Sequence, residues 1–252
     1  MPNQSGKTPS FVGVDGCPSG WASVKFSDAP QKGDATNTAA FETQVFETAE
    51  ALMQYLRASA CIALIDMPIG LLEEGKRACE KAARAALGPR RSSIFPAPRR
   101  PMLDFVSYEE ANQWGKMQGA NAGGGLSKQA WNILPKIKDL DAVITPTDQQ
   151  WLGEGHPELA FTRIIGNPCR YPKRSLEGAN EREDALRKNG IDPLKVIASF
   201  RKIIATKTLL ADDDILDACV LALSASARFD GTAIHLTDGT VDRCGLALEI
   251  WG

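Results

Sequence analysis

Between Phe11 and Asp66 the chain orders its elements in a way that few folds accommodate. Cys61 to Ile65 is an unbroken apolar run that closes on Asp66 and Pro68. A strand that is apolar at every position is buried on both faces, as central parallel strands are. Ahead of it, Thr48 to Ala60 carries Ala49, Leu52, Met53 and Leu56 at helical spacing, with Thr48 as N-cap. Earlier still, Phe11 to Asp15 and Trp21 to Phe26 are β-like runs divided by Gly16, Pro18 and Gly20, which reads as a hairpin. Phe41 to Phe46 alternates like a third strand, after a polar stretch, Ser27 to Ala40, that reads as a mobile loop.

Three strands, a crossover helix and a parallel strand predict an α/β fold. An antiparallel meander continued by parallel strands and flanked by helices is how an RNase H-like mixed sheet is built. The 252 residues suit one such domain over 10–252, with 1–9 a disordered N-terminus and 70–153 a mainly helical insertion. Within the insertion, Lys76 to Leu87, Ser107 to Met117 and Lys128 to Ile144 read as helices, the last with a bend at Pro135. Beyond it, Ala179 to Lys188, Pro193 to Ala205 and Asp213 to Phe229 are helical, and Thr232 to Leu236 and Leu246 to Trp251 are β-like. Leu159 to Ile165 fits either a strand or a short helix.

A formal charge of −2 and a pI near 5.8 argue against bulk binding of nucleic acid, so any polyanion is met by a local patch or by metal ions. None of the six cysteines forms a C-x-x-C pair, which argues against zinc ribbons and thioredoxin-like sites, and Cys61 and Cys219 lie in apolar runs. With no apolar run near the ~20 residues that span a bilayer and a polar N-terminus, the expected location is cytoplasmic, with no membrane partner.

The acids fall at informative places. Asp15 ends the first strand and Asp66 the central parallel strand, and ligands of open α/β sheets gather at the carboxyl ends of strands. Asp212, Asp213, Asp214 and Asp217 open an otherwise apolar helix, and the i to i+3 spacing puts Asp214 and Asp217 on one face. Helix capping explains Asp212 and Asp213, and turns explain Asp15 or Asp66 taken singly. Asp217, a turn inside the helix, escapes that account. Asp15, Asp66, Asp214 and Asp217 are therefore the expected ligands of Mg²⁺ or Mn²⁺, which prefer carboxylate oxygens and relieve the repulsion among converging acids. Glu158, in His156–Pro157–Glu158, is a further candidate for metal binding or water orientation, and His156 a weaker one.

Basic residues pair at Arg90–Arg91, Arg99–Arg100 and Lys173–Arg174. The first two pairs flank Ser92, Ser93, Phe95 and Pro96, and arginines beside hydroxyls and an aromatic ring can grip phosphate and stack a base. Arg90, Arg91, Ser92, Ser93 and Lys173 are the expected substrate contacts. Asn121 to Lys128 (NAGGGLSK) lacks the spacing of a Walker loop and reads as an inter-helix linker.

The strings VGVDGCPSGW, IDMPIGL, RAALGPRRSSIFPAP, HPELAF and DDILDA resemble the motifs of the domain of unknown function 429 family, whose members are described as RNase H-like nucleases. Asp15, Asp66 and the D-x-x-D-A of Asp214, Asp217 and Ala218 are also similar to the acids of bacterial Holliday-junction resolvases, which bind Mg²⁺ for strand cleavage. The fourth-strand acid is Asp here and Glu there, and the large insertion is a second departure, so junction specificity does not carry over. The resemblance implies a divalent-metal-dependent nuclease, a hydrolase of ester bonds in nucleic acid or a nucleotide-like substrate. Rival readings are a nucleotide-binding phosphotransferase of the sugar-kinase and actin kind, with Asp15 to Gly20 as its phosphate loop, and a non-catalytic binding protein. The sequence leaves the oligomeric state open, a homodimer included.

Overall fold

The computed structural model describes residues 8–33, 39–119 and 124–252. The sequence readings for most of the N-terminus, for the middle of the 27–40 loop and for Asn121 to Gly123 lie outside the described residues. Strand β1 (Ser10–Cys17) turns through Pro18 and Ser19 into antiparallel β2 (Gly20–Phe26), which pairs with β3 (Phe41–Phe46). Helix α1 (Ala49–Ala58) follows, its first turn closed by Thr48 Oγ1, which accepts from the Ala51 N–H at 3.2 Å. The chain then returns as β4 (Cys61–Asp66), parallel to β1, and a three-residue strand, β5 (Leu152–Glu154), lies parallel to β4. The order β3-β2-β1-β4-β5 is the mixed sheet expected of an RNase H-like α/β fold.

Between β4 and β5 come α2 (Ala78–Leu87), α3 (Tyr108–Met117) and α4 (Lys128–Asp141), which accommodates Pro135 and stops short of Ile144. After β5 come α5 (Pro157–Ile165), α6 (Leu176–Lys188), α7 (Pro193–Ile203) and α8 (Asp212–Phe229). The segment that sequence alone left between strand and helix is thus α5, begun by Pro157, whose fixed φ suits a first helical turn. Sequence reading placed Leu152 and Gly153 in the insertion. They belong to β5, which is too short to carry a periodic signal. The two C-terminal runs form a separate hairpin, β6 (His235–Val241) and β7 (Ala247–Trp251), tied to the main sheet by a bridge between Gly155 and Trp251. No helix among the described residues is long and apolar enough to cross a membrane.

Strand alternation divides the core. Val12, Val14, Ala63 and Ile65 face α1 and α4, while Phe11, Val24, Phe26 and Leu64 face α5 to α8. Helix α8 is apolar along most of its length and lies against β1, β4 and β2. Gly13 sets how close it comes: a Cβ there would lie 1.9 Å from the Ala218 carbonyl oxygen and 2.4 Å from the Ala222 nitrogen. Only glycine on the strand, facing alanines on the helix, lets the two backbones touch. The insertion is anchored by buried Arg100, which donates to both Asp141 oxygens (2.6 and 2.9 Å) and to Asp242 Oδ2 (2.6 Å). Asp242 in turn accepts backbone N–H groups from Leu71, Cys244 and Leu246.

Gly13→Ala is therefore expected to cost ~2 kcal/mol or more, because backbone atoms of α8 have no rotamer by which to escape the new methyl. Urea unfolding measures it; wild-type stability in that variant would show that α8 does not bear on β1 as described.

Candidate metal centre

Asp15 and Asp66 are register partners at the carboxyl ends of adjacent parallel strands. Asp15 lies two residues beyond Gly13, and Asp66 two beyond Leu64, so both side chains leave the sheet on the side covered by α8. Asp217 immediately precedes Ala218, the residue that meets Gly13. The close approach of α8 therefore delivers Asp217 onto the strand ends. One oxygen from each of Asp15, Asp66 and Asp217 lies within 4.8 Å of the others, and Asp15 and Asp217 are buried.

Burial and mutual repulsion push these acids up. Asp15 rises well above the usual carboxylate range, first through burial and then through Asp66 and Asp217. Asp66 is pushed up to about 8 by burial and then by Asp217. Asp217 rises through burial, opposed by Lys173, whose Nζ donates to Asp217 Oδ2 at 2.8 Å and lies 3.4 Å from Asp213. Lys173 is the nearest counter-charge, one cation set against three carboxylates.

The remaining candidates divide. Asp214 stands apart from the three-oxygen group: its Oδ2 accepts from the Ala211 N–H at 3.2 Å, so in the first turn of α8 the carboxylate is drawn back to cap the helix. Burial and neighbouring Asp213 still raise it to about 6. Glu158 also lies outside that group. It is buried on α5, where its Oε1 accepts from buried Arg182 and, at 3.4 Å, from Arg90. His156 occupies the N-cap position of α5, and burial lowers its ring to about 4, keeping it neutral at pH 7.

A cavity of about 330 Å³ opens on the three aspartates. Arg90, Ser92, Ser93, Lys173 and Glu158 line it as well. Arg91 does not: the 3-10 turn Gly88–Ser93 sends it to solvent. The Arg99–Arg100 pair is structural, Arg100 as described above and Arg99 lying 4.7 Å over the Trp114 ring and donating to the Gly124 carbonyl. Sequence reading missed Arg77, Glu80 and Glu154, which also border the cavity. Buried Arg77 pairs with Glu154 and, at 3.4 Å, with Glu80, while Glu154 accepts the Ile69 N–H at 2.7 Å and Glu80 that of Ala97 at 2.8 Å. The i to i+3 spacing of Arg77 and Glu80 was visible in the sequence, but their link to Glu154 depends on the fold.

Acids whose folded-state pKa is raised bind more protons in the native than in the unfolded state between the two values. Without metal, stability is therefore expected to be highest below pH ~4 with respect to these groups and to fall as pH rises toward the Asp66 value of about 8. Asp66→Asn should flatten that slope and raise metal-free stability at pH 8 by ~1 kcal/mol or more. Denaturant unfolding across the range decides, and an unchanged slope in the variant would contradict the electrostatic coupling.

Searches of curated proteins and of solved structures found no match. Residues 13–240 match the family model described as Protein of unknown function (DUF429). With most of its length inside that match, the chain belongs to the DUF429 family.

Proposed function

We propose that the chain is a divalent-metal-dependent phosphodiesterase acting on nucleic acid or a nucleotide-like phosphate ester. The observation that carries this is the convergence of Asp15, Asp66 and Asp217, three carboxylates that each bring an oxygen within 4.8 Å of the others, with Lys173 paired to one of them. Fold stability gains nothing from such a group, whereas hard oxygen donors at this spacing fit Mg²⁺ or Mn²⁺. When bound, the ion would supply Lewis acidity toward phosphoryl oxygen and a more acidic water.

The chain's own residues have separable tasks in this reading. Asp15, Asp66 and Asp217 hold the ion. Arg90 and Ser92 grip the phosphate from the cavity wall, Ser93 Oγ holds the turn by donating to the Arg90 carbonyl at 2.8 Å, and Lys173, already beside Asp217, neutralises charge on substrate or on the emptied carboxylates. A cavity of this size suits one nucleotide or a strand end, and the mildly acidic chain argues against bulk duplex as substrate. All six cysteines are unpaired thiols, which fits a reducing compartment such as the cytoplasm. One observation favours a second reading, a non-catalytic binding protein: the Lys173 ammonium pairs with Asp217 and neighbours Asp213, and so serves as a built-in counter-ion in place of a metal.

Calorimetric titration with Mn²⁺, paired with hydrolysis of bis(p-nitrophenyl) phosphate and of short oligonucleotides, separates the two. Asp15→Asn, Asp66→Asn and Asp217→Asn are each expected to abolish Mn²⁺ binding and to lower hydrolysis by ~100-fold or more. Asp214→Asn should keep Mn²⁺ binding and lose helix-cap stability of ~1 kcal/mol. Lys173→Met should tighten Mn²⁺ binding by removing a competing cation. Failure of both wild type and Lys173→Met to bind Mn²⁺ would overturn the metal reading in favour of the second.

A further inference from the structure

The cavity holds polar groups for which the metal reading has no use. Glu158 is 7% exposed, yet only its Oε1 is engaged, by Arg182 and Arg90. Its Oε2 is buried with no hydrogen-bond partner, and so is Nδ1 of His156. Both residues line the cavity. A buried carboxylate oxygen without a donor is costly to leave so, and where it borders a cavity the missing donor is naturally a ligand's. Arg182, itself 1% exposed, holds the Glu158 carboxylate in place from behind, so the free oxygen is fixed before any ligand arrives. The same cavity has an apolar wall to which Met67, Ile94, Phe95 and Ile133 contribute.

We propose that Glu158 Oε2 and His156 Nδ1 form the polar edge of a nucleobase subsite, with the N–H edge of the base donating to Glu158 and its ring lying on the apolar wall. A donor-bearing, flat, largely apolar group satisfies both the orphaned oxygen and the wall, and a nucleobase is such a group. A cavity of about 330 Å³ lies at the small end for ligand sites and has room for one nucleotide. The subsite rests on the phosphodiesterase reading for its phosphate end, and it makes Glu158 a specificity residue, not a metal ligand.

Binding of AMP, CMP, GMP, UMP and ribose 5-phosphate to the full chain, followed by calorimetry with and without Mn²⁺, tests it. At least one mononucleotide is expected to bind roughly 10-fold or more tighter than ribose 5-phosphate. Glu158→Gln should collapse that preference; because it also releases Arg90, the readout is the ratio of mononucleotide to ribose 5-phosphate affinity, expected to fall to about 1. Because Glu158→Gln strands the buried charge of Arg182, the double variant Glu158→Gln/Arg182→Gln and the separate His156→Ala are measured alongside, with the same collapse expected. Equal binding of all five ligands by the unaltered protein would overturn the subsite, as would a base preference that survives in the double variant or in His156→Ala. Tight binding of ribose 5-phosphate itself would assign the orphaned oxygen to a sugar hydroxyl and also overturn it. Mn²⁺ titration alone keeps the two proposals apart: Mn²⁺ binding without base preference defeats only the subsite, and base preference without Mn²⁺ binding defeats only the phosphodiesterase.

Discussion

Three carboxylates brought together out of water repel one another, and something in the fold must hold them there. That constraint is the backbone contact between β1 and α8 at Gly13, Ala218 and Ala222. The parallel register of β1 and β4 sets Asp15 beside Asp66, and the glycine contact sets Asp217 above both. The apolar burial of α8 against β1, β2 and β4 stabilises the arrangement with energy drawn from the core, so the acids themselves need contribute none. The same burial raises the three acids, which leaves the metal-free site prone to hold protons or Lys173.

The insertion then turns an open strand end into a cavity. Two buried ionic networks fix it: Arg100 with Asp141 and Asp242 joins α4 to the C-terminal hairpin, and Arg77 with Glu80 and Glu154 joins the start of α2 to β5. In both, each carboxylate that meets backbone N–H groups also meets a guanidinium, so the buried charges are matched. The 3-10 turn carrying Arg90, Ser92 and Ser93 packs beside α2 and so shares this anchoring. Its position over the aspartates follows from how α2 is held.

Much of this was legible in the sequence because it is written in local patterns. The uniform apolar run of Cys61 to Ile65, the hairpin glycines and the helical spacing after Thr48 give the sheet up to β4; Asp66 stands out because it ends its strand, and Asp15 because it ends an apolar run, although β1 itself continues to Cys17. Asp217 was legible as an acid inside an apolar helix. Asp214 shares its helix face but lies outside the three-oxygen group, because the competing pull of the Ala211 N–H is a property of the helix end. Arg91 points to solvent outside the cavity because neighbouring residues of a 3-10 turn face different ways, and burial of Arg99 and Arg100 is not legible because a basic pair looks the same whether solvated or buried. β5, with three residues, is too short for a periodic signal, and β6, mostly exposed, runs over His235–Val241 where the apolar residues suggest Thr232 to Leu236. Glu154 and Arg182 were invisible as site residues, since each acts through a partner distant in sequence.

The central claim is that Asp15, Asp66 and Asp217 are a metal site and not a fortuitous cluster. Anomalous diffraction from a crystal soaked in Mn²⁺ measures this most directly. The expected result is a Mn²⁺ peak ~2.1 Å from an oxygen of each of the three aspartates, with Lys173 Nζ moved away from Asp217. Absence of a peak there, with Lys173 still bonded to Asp217, would contradict the account.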